Sequence, residues 1–474
     1  MRALALGLAA CLAAACAAPA ERPRAQPTPR PKPPVLSTPQ ADERAGREAA
    51  QSVEAAVGVV ADPELRAYVQ AVGARLAREA PGFRYDYRFE IADDWEPNAF
   101  ALPGGFVYVS RGALALTASE DELANVLAHE IAHVASRHAA ARQHVAGNAL
   151  MATLQWRSLA AYSRDLESSA DRLGQGLAAL AGYDPAGMTR FLAGLDRIER
   201  IRTGSPRTPR FLDTHPGTTT RISEMAQRAG QIQWQPRPGV SAGPADHLAR
   251  LEGLVVEGDA SQGLFTGTRF LHPELGFTLR FPDGWTTQNT PSAVGALAPD
   301  RRMRILLEIA AEGSDAAAAG EAWLEGLGRG FGLAEAGPVR ITGRESFRVR
   351  GHAGGAHVIA TFLPFRGLVY RIGCEGSDAR RLEALCTSVT RSFRPLTPEL
   401  LAGAREQRLH VAEARAGESL AELSARTGNL WSPLETAAWN GLDTRRVFTG
   451  GERVKAVREG AVPAPEGGVP RARN

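Results

Sequence analysis

The sequence predicts a multidomain chain: a mainly helical domain holding a small β-sheet, then an α+β domain, then a small strand–helix–helix–strand unit. Three observations predict this. Apolar residues recur at helical spacing from residue 43 to about 230, interrupted only at 82–110 by strand-like alternation. A break rich in Pro and Gly, "QWQPRPGVSAGPADH", follows at 233–247. From about 265, period-two runs alternate with helical ones. With 474 residues, 44% of them hydrophobic and 23% charged, the chain can build more than one core. A net charge of only +3, much of it in tails such as "RPRAQPTPRPKP", argues against a nucleic-acid-binding surface.

Taken in order, the chain opens with "MRALALGLAACLAAACAAPAERPR": one basic residue, a short apolar run and small residues. That is an export signal, too short for a lasting membrane span. It resembles bacterial lipoprotein signals, in which a cysteine after small residues is acylated. Cys16 is favoured over Cys11, because cleavage before Cys11 leaves only a stub of apolar run and an odd thiol. A signal peptide of 1–16 is then followed by a proline-rich tether at 17–42, unable to form a core. Residues 43–232 form the first folded domain. In it "FRYDYRFEIADDWEPNAFALPGGFVYVS" alternates like strands broken at Asn98-Ala99, Pro103 and Gly104-Gly105. No later run of about 18 apolar residues predicts a transmembrane helix.

A linker is expected at 233–264 and an α+β domain at 265–397. There "GFTLRFPDGW" alternates before a Pro-Asp-Gly turn, and "AHVIATFLPFRGLVYRIGCEG" reads as two strands joined at Arg366-Gly367. Helices are expected near 314–333 and 378–393. Cys374 ends a strand and Cys386 lies in the last helix; spacing leaves a disulfide and two buried thiols equally open. Residues 405–459 read as strand, helix, helix, strand. Their order resembles a LysM module, through Gly417-Glu418-Ser419-Leu420, Asn440-Gly441-Leu442 and the closing "GGERVKAV". Glu418 stands where that pattern usually has aspartate, and the middle is longer. Residues 460–474 are a low-complexity tail.

The chemistry lies in "SEDELANVLAHEIAHVASRH", which Ser119 and Glu122 open as a capping box. Leu123, Val126, Leu127, Ile131 and Val134 form one broad apolar helix face. His129 and His133 stack on its edge, and Glu130 lies one residue round towards the apolar stripe. A solvated face would put such groups opposite the stripe, so here they require a buried partner. Zinc is that partner. Imidazoles at i and i+4 reach one ion, and the glutamate between them can act as general base on the activated water. His138 points the other way round the helix and reads as a bystander.

A catalytic zinc needs a third protein ligand and an open position. In "SRDLESSAD" Glu167 and Asp171 share a helix face, one helical hairpin after His133. On spacing alone they could be a ligand with a support for a ligating imidazole, or two carboxylates facing water. H-E-x-x-H followed by this stretch resembles the zinc metallopeptidases of the HtpX-like, Oma-type and CAAX-prenyl-protease-like family, over residues 45–230. The resemblance implies a zincin-like metallopeptidase domain binding one Zn2+ through His129, His133 and Glu167. It also implies Asp171 as support, and His215 of "FLDTHPGTTTRI" as an oxyanion stabiliser followed by Arg221. Read from the residues, the alternative for His215 is a turn residue before Pro216.

The same likeness makes "NAFALPGGFVYVSRGAL" a strand along the cleft, so a substrate strand is expected beside Gly105, Phe106, Val107 and Tyr108. The expectation is a periplasmic zinc endopeptidase, lipid-anchored through Cys16 to the outer membrane, cleaving envelope proteins. Peptidoglycan or envelope-assembly proteins are further expected partners, and nucleic acid is not. The alternative is a chaperone or scaffold for envelope assembly with little proteolysis.

Overall fold

The protein was analysed as a computed structural model, which describes residues 38–139, 163–203, 215, 219–237, 239–240, 243–257, 259–260, 262–327 and 330–462. Cys11, Cys16, the tether up to residue 37 and the tail from 463 lie outside the described residues, as does the apolar stretch at 140–162. The described chain divides into two compact units. One runs to Glu257 and includes Gln407–Gly460; the other is Gly258–Glu406.

The first unit begins with α1 (Pro39–Val57), so the last four residues read as tether are helical. Thr38 caps it by accepting from the Ala41 amide. α2 (Pro63–Ala77) is capped by Asp62 in the same way. Then come β1 (Arg88–Ala92), β2 (Ala99–Leu102), a 3-10 turn at Pro103–Gly105 and β3 (Phe106–Ser110). The sheet order is β1-β3-β2, with β3 parallel to β1 and antiparallel to β2. α3 (Arg111–Leu116) and α4 (Glu120–Ala135) follow, then α5 (Arg164–Ala181), α6 (Gly187–Thr203), α7 (Thr219–Ala229), α8 (Gly243–Arg250) and β4 (Val255–Glu257). The stretch expected as a linker thus carries a helix and a strand. One core spans α2, the sheet, α4, α5 and α6, and it also takes in Leu409, Trp439 and Val457 from the C-terminal segment.

The second unit contains β5 (Leu264–Thr266), β6 (Arg269–His272), β7 (Phe277–Arg280), β8 (Thr286–Thr290), β9 (Ala293–Leu297), β10 (Met303–Glu312) and α9 (Ala316–Gly326). It continues through β11 (Phe331–Ile341), β12 (Arg344–Ala353), β13 (Ala356–Phe365), β14 (Leu368–Gly376), α10 (Ala379–Ser392), β15 (Arg394–Pro395) and α11 (Pro398–Ala402). A seven-stranded sheet runs β11-β12-β13-β14-β10-β9-β8 and a four-stranded one β15-β7-β6-β5. The β13–β14 hairpin turns at Arg366-Gly367, where both residues take positive φ, +51° and +78°. That left-handed pair matches the twist of the flanking strands. Cys374 of β14 and Cys386 of α10 form a disulfide, their Cα atoms 5.9 Å apart.

The chain then re-enters the first unit with β16 (Arg405–Glu413), α12 (Leu420–Thr427), α13 (Pro433–Asn440) and β17 (Arg453–Ala461). This is the expected strand–helix–helix–strand order, but not a free-standing module. Its two strands form one sheet with β4, in the order β17-β16-β4. Trp439 stacks between Trp95 and Trp431, at ring-centroid distances of 5.0 and 5.2 Å. The Lys455 ammonium donates to the carbonyls of Ala115, Leu116 and Thr117, satisfying the C-terminal carbonyls of α3.

Candidate metal centre

The centre is built on α4. Ser119 caps it by accepting from the Glu122 amide, while the Glu122 carboxylate accepts from Ala118, one residue short of a reciprocal capping box. His129, Glu130 and His133 are all buried, at 1%, 0% and 2% exposure, although two are bases and one an acid. Their partners come from α5 and the segment after α6. Gly174 makes this possible: a Cβ there would sit 3.0 Å from the His129 amide nitrogen, so only glycine lets α5 lie this close to α4. Glu167 and Asp171, two turns and one turn earlier on α5, then face α4 and are buried.

The donor atoms converge. His129 Nε2 lies 3.1 Å from His133 Nε2, 3.2 Å from His215 Nδ1 and 3.5 Å from Glu167 Oε2. Glu167 Oε1 lies 3.5 Å from His133 Nε2 and 3.1 Å from His215 Nδ1. Ligand atoms about 2.0–2.1 Å from a tetrahedral zinc are roughly 3.3–3.4 Å apart, the spacing found here. The four residues therefore fit a single zinc. Neither Glu130 oxygen accepts a hydrogen bond among the described residues; the nearest base, His215 Nε2, is 3.4 Å from Oε1. A wholly buried carboxylate in that state needs a further partner.

The surroundings hold the donors in place. His129 Nδ1 lies 3.1 Å from Asp171 Oδ1, which orients the imidazole with Nε2 inward. Arg221 forks onto Asp171, lies 2.8 Å from Glu167 Oε2 and donates to the His215 carbonyl. Burial opposes charging any of these groups, but the histidines and Arg221 hold the Glu167 and Asp171 carboxyls below their usual range. Burial outweighs His215 and His129 at Glu130, whose pKa is raised, so it holds a proton more readily than an ordinary glutamate.

Two expectations change. Gly105, Phe106, Val107 and Tyr108 do not offer a free edge: β3 is the central strand, paired on both sides and buried throughout. The edge strands are β1, whose outer side is bridged by Val59 at Ala92, and β2, whose Ala101 and Leu102 line a small recess with His133 and Val134. The β1-β3-β2 order needs non-sequential pairing, which alternation along the chain does not reveal. His138, in turn, is no bystander. α4 ends at Ala135, Arg137 takes a left-handed φ of +51°, and the chain turns back to place His138 Nδ1 2.9 Å from His133 Nδ1. Asp42 of α1 holds that turn, accepting from Arg137 Nε and Nη2 at 2.6 and 3.0 Å. The only signal for this in the sequence was the end of the apolar period after Val134.

The sequence model of peptidase family M48 matches residues 63–159 and 144–229, the span that builds this centre. The β-barrel assembly-enhancing protease of Yersinia pestis is 30% identical over 227 residues, 42% of this chain and 45% of that protein. A putative protease of the same description from Vibrio cholerae is 34% identical over 200 residues, 36% of this chain and 41% of it. The mitochondrial metalloendopeptidase OMA1 of Schizosaccharomyces pombe is 30% identical over 184 residues, 35% of this chain and 53% of it. The chain thus spans about half the length, or less, of these curated relatives. The matched residues coincide with those that build the buried donor set, so over residues 63–229 the chain is similar to peptidase family M48.

Proposed function

We propose that this chain is a zinc-dependent endopeptidase that hydrolyses peptide bonds of envelope proteins, with Glu130 as general base. The observation that carries the reading is the wholly buried Glu130 carboxylate, which accepts no hydrogen bond among the described residues and adjoins four converging donors. His129, His133 and Glu167 would hold the ion, which when bound supplies Lewis-acid activation of the scissile carbonyl and of water. Glu130, made more basic by burial, takes the proton from the attacking water and returns it to the leaving amine. Asp171 and Arg221 keep His129 and Glu167 oriented. His215 has its Nδ1 among the donor atoms and its Nε2 beside Glu130, and its ring would donate to the oxyanion. Substrate backbone adds along the free edge of β2 rather than β3.

The bacterial relatives are named for enhancing β-barrel assembly, which supports envelope proteins as substrates. Among the described residues no helix is long and apolar enough to cross a membrane. The leader supports export and a lipid on Cys16 as the anchor to the outer membrane. The C-terminal segment has the strand–helix–helix–strand order, and retention of the full chain on purified cell wall would support a peptidoglycan partner. The test of the activity is Glu130→Gln. It should keep one zinc per chain and cut casein at least about a hundredfold more slowly. Undiminished cleavage would remove Glu130 from the mechanism. Undiminished support of envelope assembly by that form would favour the scaffold reading.

A further inference from the structure

A second pocket, of about 330 Å³, lies within the first unit between α6 and the end of α13. Glu122, on the pocket wall, is two turns before His129 on α4, so the pocket stands about 10 Å along that helix from the metal centre. Its walls join Leu116, Phe191 and Trp439 to three charged groups, Glu122, Arg190 and Arg197. The charges are unevenly paired, although Arg197 does feel the Glu122 carboxylate. Arg190 is paired, with Asp184 at 2.7 Å and Glu122 at 3.5 Å. Glu122 is already engaged by the Ala118 amide. Arg197 has no hydrogen bond or ion pair among the described residues, and its Nε is shut off from solvent. The guanidinium reaches across to the turn after α13, where its Nη2 lies 3.2 Å from the place a Cβ on Gly441 would take.

A guanidinium buried at one nitrogen without a partner is costly, and a carboxylate answers it with two parallel hydrogen bonds. The apolar wall beside it suits an aliphatic or aromatic side chain next to that carboxylate. Carboxylate and apolar side chain on one carbon are the chemistry of a peptide's last residue. We propose that this pocket binds the free C-terminus of a peptide, its carboxylate on Arg197 and its last side chain against Leu116 and Trp439. The site is independent of the hydrolytic reading and uses none of the metal-centre residues.

The test uses the full zinc-loaded chain and acetyl-Ala-Leu as the free acid, its C-terminal amide and inorganic phosphate, followed by calorimetry. The acid should bind at least about tenfold more tightly than the amide, the worth of one charge-assisted bidentate pair, and phosphate should not displace it. Arg197→Gln should remove that preference while leaving zinc content and casein cleavage unchanged. Arg190→Gln, whose charge is already answered, should weaken binding less. Without any variant, the acid but not the amide should shield Arg197 from phenylglyoxal, read by mass spectrometry. Equal binding of acid and amide overturns the proposal. So does acid binding that survives Arg197→Gln, since it would then sit on the metal, or displacement by phosphate at the acid's own affinity.

Discussion

Glu130 and His215 face each other across 3.4 Å, and this distance decides how the residues divide the work. His215 is placed as a fourth donor, yet three protein donors remain without it. Replacing it with Ala should therefore leave zinc bound and lower kcat about a hundredfold, the usual loss for one oxyanion donor. Loss of zinc in step with activity, measured by metal analysis, would make His215 an obligatory ligand instead. His129, Glu130 and His133 were legible in the sequence because groups that share one helix edge obey simple spacing, whereas spacing left Glu167 open and only the family resemblance singled it out. His138 was not, because reaching His133 depends on a left-handed residue, Arg137, that helical periodicity extends straight through. Arg221 was named only by resemblance; its hold on both Asp171 and Glu167 is a tertiary contact.

At the scale of elements, the metal centre depends on how closely α5 approaches α4. Gly174→Ala adds a methyl 3.0 Å from the His129 amide nitrogen and 3.1 Å from its Cα, both backbone atoms that cannot rotate away. We expect about 1–3 kcal/mol of lost stability, read by urea unfolding, together with weaker zinc retention. Normal zinc content in a destabilised variant would uncouple helix spacing from the site. Lys455 of β17 makes a second element-scale contact. Burial pushes its pKa down from 10.5 to about 7, with Arg197 adding to the fall and Glu122 opposing it. The folded chain therefore holds fewer protons than the unfolded chain between those values. Stability contributed through this group rises with pH across that window and is lowest below pH 7. Lys455→Met should remove that rise, so the urea midpoints of wild type and variant should move apart between pH 7 and 9. Parallel midpoints would show that Lys455 keeps an ordinary pKa.

At the scale of the molecule, the C-terminal strand–helix–helix–strand segment belongs to the unit that carries the metal centre. It completes a sheet with β4 and puts Leu409, Trp439 and Val457 into the shared core. A chain ending at residue 404 would expose that apolar surface and leave Lys455's three carbonyls without their donor. It should aggregate or unfold instead of yielding an active peptidase, as size-exclusion chromatography and casein cleavage would show. A soluble, fully active truncation would restore the picture of an independent module. The second unit reads differently. Its hairpin at Arg366-Gly367 was legible because I′ turns have local chemistry, whereas the Cys374–Cys386 pairing needed β14 and α10 to be brought together.

By itself the sequence determined what depends on short-range periodicity. That includes the α4 helix with its ligands, the carboxylates of α5, the alternation of the β-rich unit and the order of the last four elements. These follow from residue spacing along a helix or strand, which a chain carries without folding. Only the tertiary structure decided that β3 is central and β2 the edge, and that His215 reaches the fourth corner of the donor set. Only there does Arg137 swing His138 behind His133, and only there does residue 455 reach residue 115. Each of these joins atoms far apart in the chain, and their meeting depends on sheet order and packing distance, which local patterning does not encode.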